Sequence, residues 1–334
     1  MKNKVAALSL ALILTAGLVY THPAYAHNFG GDESSQFLGK VANLKAELQA
    51  LQMDLSNSDA VSWHVDKIGE YWNDNDTKEM GERNQLLAKE IPDSLNSVLT
   101  DAQKSNPDAS TIKQDIDTLN GYLDEGITVR IDKNQMQNAT VQALAVTDII
   151  GEALESYGDA INSTVDLNNM SQLQGMSSTN VGSNMSGMKM GTSYSQDTGV
   201  PIHLVQMSGM QSGGENIVEI AAYHSAQIHA QAAKDYFDKN VVPIAPSGTS
   251  AFVTKADDNL AKLIDEINNK ADPQTVMTTV HLNIHPALIS AFNLPLMTMN
   301  TGANAVPEFP MPVLLALVSI IGVVVITRFR ANLK

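Results

Sequence analysis

His224-Ser-Ala-Gln-Ile-His229-Ala-Gln-Ala-Ala-Lys-Asp-Tyr236-Phe237 repeats, in part, an earlier piece of the same chain. His64 is followed seven residues later by Tyr71 and Trp72, and His229 by Tyr236 and Phe237 at the same interval. The offset of 165 residues also carries Asp93 onto Asp258, Leu95 onto Leu260, Val98 onto Leu263, Leu99 onto Ile264 and Asp101 onto Glu266. Each copy then meets a proline at a turn, Asn106-Pro107 and Asp272-Pro273, and enters another helical pattern. The pattern reads as one helical unit duplicated. The expected fold is all-α: two tandem up-and-down helical bundles, related by internal duplication, plus one C-terminal transmembrane helix.

Outward from that repeat, Phe37, Leu38, Val41, Leu44, Leu48, Leu51 and Leu55 recur every three or four residues and predict a first helix from Ser34. Ser56-Asn-Ser-Asp59 is a turn and N-cap signal for a second helix reaching Trp72. Asp76 with Glu79 reads as the cap of a third helix toward Gln103, which Pro92 is expected to kink or interrupt. A fourth helix is expected over 108–127, completing a first bundle at 34–130. Helices over 134–165, 215–239, 250–270 and 273–292 would form a second bundle at 133–293. Between its first two helices lies an insertion, 166–214, rich in Ser, Gly, Asn, Met and Thr and without a lasting period.

Composition narrows the function. The formal charge of −15 over 334 residues argues against nucleic acid and anionic membrane surfaces as partners. The chain has no cysteine, which removes disulfides, thiolate metal sites and thiol nucleophiles. Aromatic residues make up 5%, which favours helices packed through small side chains over a β-sandwich.

Both ends read as membrane-directed. Lys2 and Lys4, the apolar run from Val5 to Val19 and Ala24-Tyr-Ala26 fit a signal peptide over 1–26, leaving His27 at the mature N-terminus. Residues 294–310 form a Pro- and Gly-containing stalk, and 311–329 an apolar span followed by Arg330 and Lys334. The basic flank keeps that end on the cytoplasmic side and the body outside the cell. Val306-Pro-Glu-Phe-Pro310 ahead of the span resembles the PEF-type sorting signals of archaeal surface proteins. That resemblance implies processing by an archaeosortase and transfer to a lipid. Asp32-Glu-Ser-Ser-Gln-Phe-Leu38, Thr77-Lys-Glu-Met-Gly-Glu-Arg-Asn-Gln85, Ile284-His-Pro286 and Ala291-Phe-Asn-Leu294 are similar to a family of secreted proteins of ammonia-oxidising archaea. The resemblance implies a location and no reaction.

The chemistry the sequence hints at is metal binding. His281 and His285 are i, i+4, so on a helix both imidazoles leave one face, a spacing that can chelate one ion. His224 and His229 lie on a helix of the same expected bundle, about 140° apart around its axis. Under the 165-residue offset the first unit has Asp59, His64, Ile116 and Asn120 in these four places, so three histidines are particular to the second unit. In the insertion, Met185, Met188 and Met190 stand close together, and His203, Met207 and Met210 follow at i, i+4, i+7. Thioethers favour Cu(I), and a mature N-terminal His27 can chelate Cu(II) through its amine and ring, so copper is the expected metal. The bland alternatives are hydrogen-bonded core histidines, a linker and an adhesive methionine surface. Asn75, Asn138, Asn162, Asn169 and Asn184 head sequons for glycosylation of an exported chain. No phosphate loop, Gly-x-Ser-x-Gly, His-Glu-x-x-His or Glu-x-x-His motif is present, so no enzyme is expected. The function read from sequence is an extracellular, membrane-anchored protein for copper capture, buffering or handover. The rival is a structural or interaction module of the cell envelope, or an accessory subunit of a membrane complex.

Overall fold

The first helix, α1 (Glu33–Met53), is buried on nearly every side, by Phe37, Leu38, Val41, Leu44, Leu48 and Leu51 but also by Ser35, Asn43 and Glu47. A helix buried all round belongs at the centre of a helical protein, and α1 does lie there. The computed structural model describes residues 32–173 and 214–295, and in it the chain is helical with no strand among the described residues. The expected signal peptide, most of the expected insertion (174–213), nearly all of the expected stalk and the expected C-terminal span lie outside the described residues. Among the described residues no helix is long and apolar enough to cross a membrane.

Asp32 starts α1 by accepting the Ser35 N–H at 2.8 Å. α2 (Ser58–Tyr71) is N-capped by Asn57. α3 (Asp74–Arg83) begins with a capping box, in which Asn73 is the cap and Asp76 the returning N3 side chain. The expected cap, Asp76 with Glu79, is therefore shifted by three residues: Asn73 offers its side-chain oxygen one turn earlier. The expected interruption at Pro92 is also corrected. Helix α4 (Gln85–Ala102) runs through Pro92, and the break falls at Asn84. There Asn84 closes α3 through its N–H to the Met80 carbonyl and opens α4 by accepting from Leu86 N and Leu87 N. Proline forfeits one backbone bond, but the stripe Leu87, Ile91, Leu95, Val98 and Ala102 is buried along the whole of α4 and keeps it helical. α5 (Ala109–Arg130) follows, capped by Asp108.

The single helix expected over 134–165 is two: a short turn, α6 (Lys133–Met136), and α7 (Ala139–Ala160) capped by Asn138. Asn162, with φ of +50°, turns the chain after α7. α8 (Ile220–Tyr236) passes into a π-helical turn at Phe237–Val241 and a 3-10 turn at Val242–Ile244. α9 (Ser250–Asn268) is regular. The helix expected over 273–292 is interrupted: α10 (Pro273–Thr278) opens into a π-helical segment, Thr279–Ile284, before α11 (His285–Phe292). Pro286 lacks an N–H, and the wider π turn lies directly ahead of it.

All of these elements belong to one compact unit. Its interior holds two apolar clusters. One gathers α1 to α5 around Leu44, Leu48, Ile68, Met80 and Ile91. The other gathers α7 to α11 around Ile149, Leu154, Tyr157, Phe237, Leu260 and Leu288. They are not independent, since Val141 and Ala145 of α7 lie in the first cluster and Tyr236 packs on both. α1 packs on α7, α8, α2 and α5, so it forms the seam between the two groups of helices. The close approach of α1 to α7 uses Gly39, where a Cβ would sit 2.7 Å from an Asp148 carboxylate oxygen.

Candidate functional site

Two places gather chemistry-bearing side chains. The first is the seam. Glu47 stands on α1 among Leu44, Leu48 and Leu51, with its side chain fully buried. One carboxylate oxygen lies 2.5 Å from His64 Nδ1, and the other accepts the Ser225 hydroxyl at 2.7 Å. His64 Nε2 lies 2.9 Å from Asp54, the C-cap residue of α1. Asp54 in turn holds His224 Nδ1 at 2.8 Å. The chain of contacts Glu47, His64, Asp54, His224 therefore runs from the core to a ring that is a quarter exposed. Burial opposes a charge on His64. The hydrogen bonds and charges of Glu47 and Asp54 outweigh it and raise the ring's pKa above its ordinary 6.5.

His229 lies one helical turn beyond Ser225. Its Nδ1 donates to the Ser225 carbonyl at 2.9 Å and stands 3.8 Å from Glu47. Its Nε2 is buried and has no hydrogen-bond partner among the described residues. Beside it, Tyr71 donates to Glu152 of α7 at 2.8 Å, and Lys67 of α2 donates to Glu155 at 2.6 Å. Burial raises the Glu152 carboxyl above the ordinary carboxylate range against the pull of Lys67.

The second place is the π-helical segment of the C-terminal helices. His281 and His285 are both buried there, with ring centroids 5.3 Å apart. His281 Nε2 donates to the Leu167 carbonyl at 2.8 Å, so Nδ1 is its lone-pair nitrogen. Burial lowers the His281 pKa, countered in part by that carbonyl and by the charge of Asp166, so the ring is neutral at neutral pH. Two imidazoles on one ion at ~2.0–2.1 Å would place their centroids about 5 Å apart for a tetrahedral angle, which is the separation the pair has.

The sequence set His281 and His285 on one helix face and His224 and His229 on another helix of the same expected bundle, and the structure holds the two pairs apart. His281 and His285 meet each other beside Leu167, whereas His224 and His229 face α1. The reason is the register of α8, whose histidines are drawn to Asp54 and Glu47. Among the described residues no three His, Asp or Glu side chains form a group arranged to hold a metal ion. His27, His203, Met185, Met188, Met190, Met207 and Met210 lie outside the described residues. Sequence reasoning did not anticipate Asp54, His64, Lys67 or Tyr71 as parts of one network. A signal for it existed: Glu47 and His64 each interrupt the apolar stripe of their helix. Comparison with models of known protein families, with curated proteins and with solved structures finds no match.

Proposed function

We propose that this chain is an exported protein of the cell surface, tethered by its C-terminal segment, that binds a transition metal, copper first, through His281 and His285. The imidazole pair carries the reading. Both rings are buried and 5.3 Å apart. His281 is held neutral by burial, and its tautomer is fixed by the Leu167 carbonyl. A neutral imidazole with one N–H tied to a carbonyl is the usual state of a metal ligand. A π turn inside a helix is also a frequent companion of functional sites. Six residues after Leu167 the chain reaches Leu173 and enters the methionine-rich stretch. Met185, Met188, Met190, Met207, Met210 and His203 are the proposed sources of further ligands, with His27 as a separate Cu(II) chelate. The role is capture, buffering or handover, with no catalysed reaction.

The same proposal takes the second half of the protein as a duplicate of the first. Positions related by 165 residues are buried in both halves: Trp72 and Phe237, Leu95 and Leu260, Val98 and Leu263, His64 and His229. The counterpart of His281 is Ile116, a core residue, so the metal pair is a property of the second copy alone. Export and tethering rest on the signal-like start, the PEF-type motif and the terminal apolar span, and the archaeal surface family remains a resemblance.

The test is isothermal titration of the full chain with Cu(II) and, under reductant, Cu(I), beside a His281→Ala/His285→Ala variant. Sub-micromolar binding that weakens by at least about 100-fold in the variant is expected, since even indirect disturbance of a metal site costs 10–100-fold. No binding of either ion would overturn the copper reading in favour of an envelope interaction module. Binding that the variant retains would remove the pair from the site.

A further inference from the structure

The seam is more than packing. Glu47 and Asp54 offer acceptors from α1, and His64 stands between them with one ring nitrogen at 2.5 Å and the other at 2.9 Å. A neutral imidazole has one N–H. It can satisfy one of these carboxylates and would turn a lone pair toward the other. The geometry therefore needs one additional proton, shared between the ring and its two carboxylates, in a place with almost no water. The same two carboxylates hold α8: Glu47 accepts from Ser225, and Asp54 holds His224. His229, the other ring near Glu47, keeps its Nδ1 on the Ser225 carbonyl. From α7 the nearest charges, Glu152 and Glu155, are occupied by Lys67 and Tyr71 of α2.

We propose that His64 is a proton-set clasp. While the ring carries two protons it ties Glu47 to Asp54 and presents both to α8, and loss of one proton leaves one of the two carboxylates facing a lone pair and loosens α8 from α1. The direction follows from where the proton sits. The group holds its proton more tightly folded than unfolded, as its raised pKa also indicates. The clasp is fully closed below the unfolded imidazole value of about 6.5 and is lost as pH rises through the folded value.

The protein carries its own reporter. Trp63 meets the His64 ring edge-on at 5.3 Å, and the chain has only one other tryptophan, Trp72. Imidazolium quenches a neighbouring indole far more than neutral imidazole does. The experiment is a pH titration of Trp63 emission in the full chain carrying Trp72→Phe, run beside hydrogen–deuterium exchange of residues 220–236. The expected result is a single rise in emission with a midpoint above 6.5, accompanied by a loss of exchange protection in α8 beyond the intrinsic pH effect. Asp54→Asn should move the midpoint down, and His64→Gln should abolish the step and make α8 protection independent of pH. A midpoint at or below 6.5, a step that survives His64→Gln, or α8 protection unchanged across the step would each overturn the clasp. Should His64→Gln fail to fold, the direction of the Asp54→Asn shift decides alone.

Discussion

Replacing Glu47 by glutamine keeps the volume of the side chain and removes its charge. The site is dry: the side chains of Glu47 and His64 have no exposed surface. A charged contact at about 4 Å between charge centres is worth roughly 4 kcal/mol at an effective dielectric constant near 20. Against this, the variant no longer has to desolvate a carboxylate, which recovers part of that sum. One of the two hydrogen bonds, to His64 or to Ser225, can be kept by the amide oxygen. Breaking one partner of a buried pair costs about 3–5 kcal/mol in general, and with the amide retained we expect the lower end, about 3 kcal/mol. For a unit of this size that is a fall in Tm of roughly 6–12 °C. The loss must also depend on pH. His64 has a raised pKa because of Glu47 and Asp54, so the stability it contributes is complete below 6.5 and disappears as pH rises through the folded value. The gap between wild type and Glu47→Gln should therefore be widest near pH 6 and narrow on the alkaline side. Thermal unfolding followed by circular dichroism at several pH values measures it. A gap of constant size, or a variant as stable as wild type, would refute the reasoning.

Other consequences are local. Gly39→Ala would push a methyl against Asp148 at 2.7 Å and should destabilise by about 1–3 kcal/mol, read in urea unfolding, while Gly69→Ala, with open space around it, should not. Asn84→Ala removes the side chain that starts α4 and should cost about 1 kcal/mol, with exchange protection lost first around Leu86 and Leu87. Tyr71→Phe deletes the donor to the Glu152 carboxylate in a mostly buried setting and should cost about 1.5–3 kcal/mol in the same denaturant assay.

The helices were legible in the sequence where one face is apolar and one wet. α4, α5 and α9 each bury a single stripe, and their periods are plain. α1 was also found, though the burial of its polar positions was not, because a period shows which residues are apolar and not how many neighbours surround the helix. Pro92 does not interrupt α4: a proline costs one hydrogen bond, and the buried stripe of the helix outweighs it. The π turns at 237–241 and 279–284 had no signature in the sequence beyond Pro243 and Pro286. The split of the four second-half histidines comes from tertiary packing. Spacing fixed His281 against His285, but the partners of His224 and His229 come from α1, about 170 residues earlier in the chain. The carboxylates of the seam were visible as charges inside apolar stripes, yet their meeting depends on tertiary packing that periodicity does not encode.

The claim on which the functional account rests is that one copper ion is held between His281 and His285. X-ray absorption at the copper edge of the Cu(I)-loaded full chain addresses it directly. The account predicts two imidazole scatterers at ~2.0–2.1 Å with sulfur at ~2.3 Å, and loss of the imidazole signal in the His281→Ala/His285→Ala variant. Copper bound without imidazole scattering, or a spectrum unchanged in that variant, would contradict it.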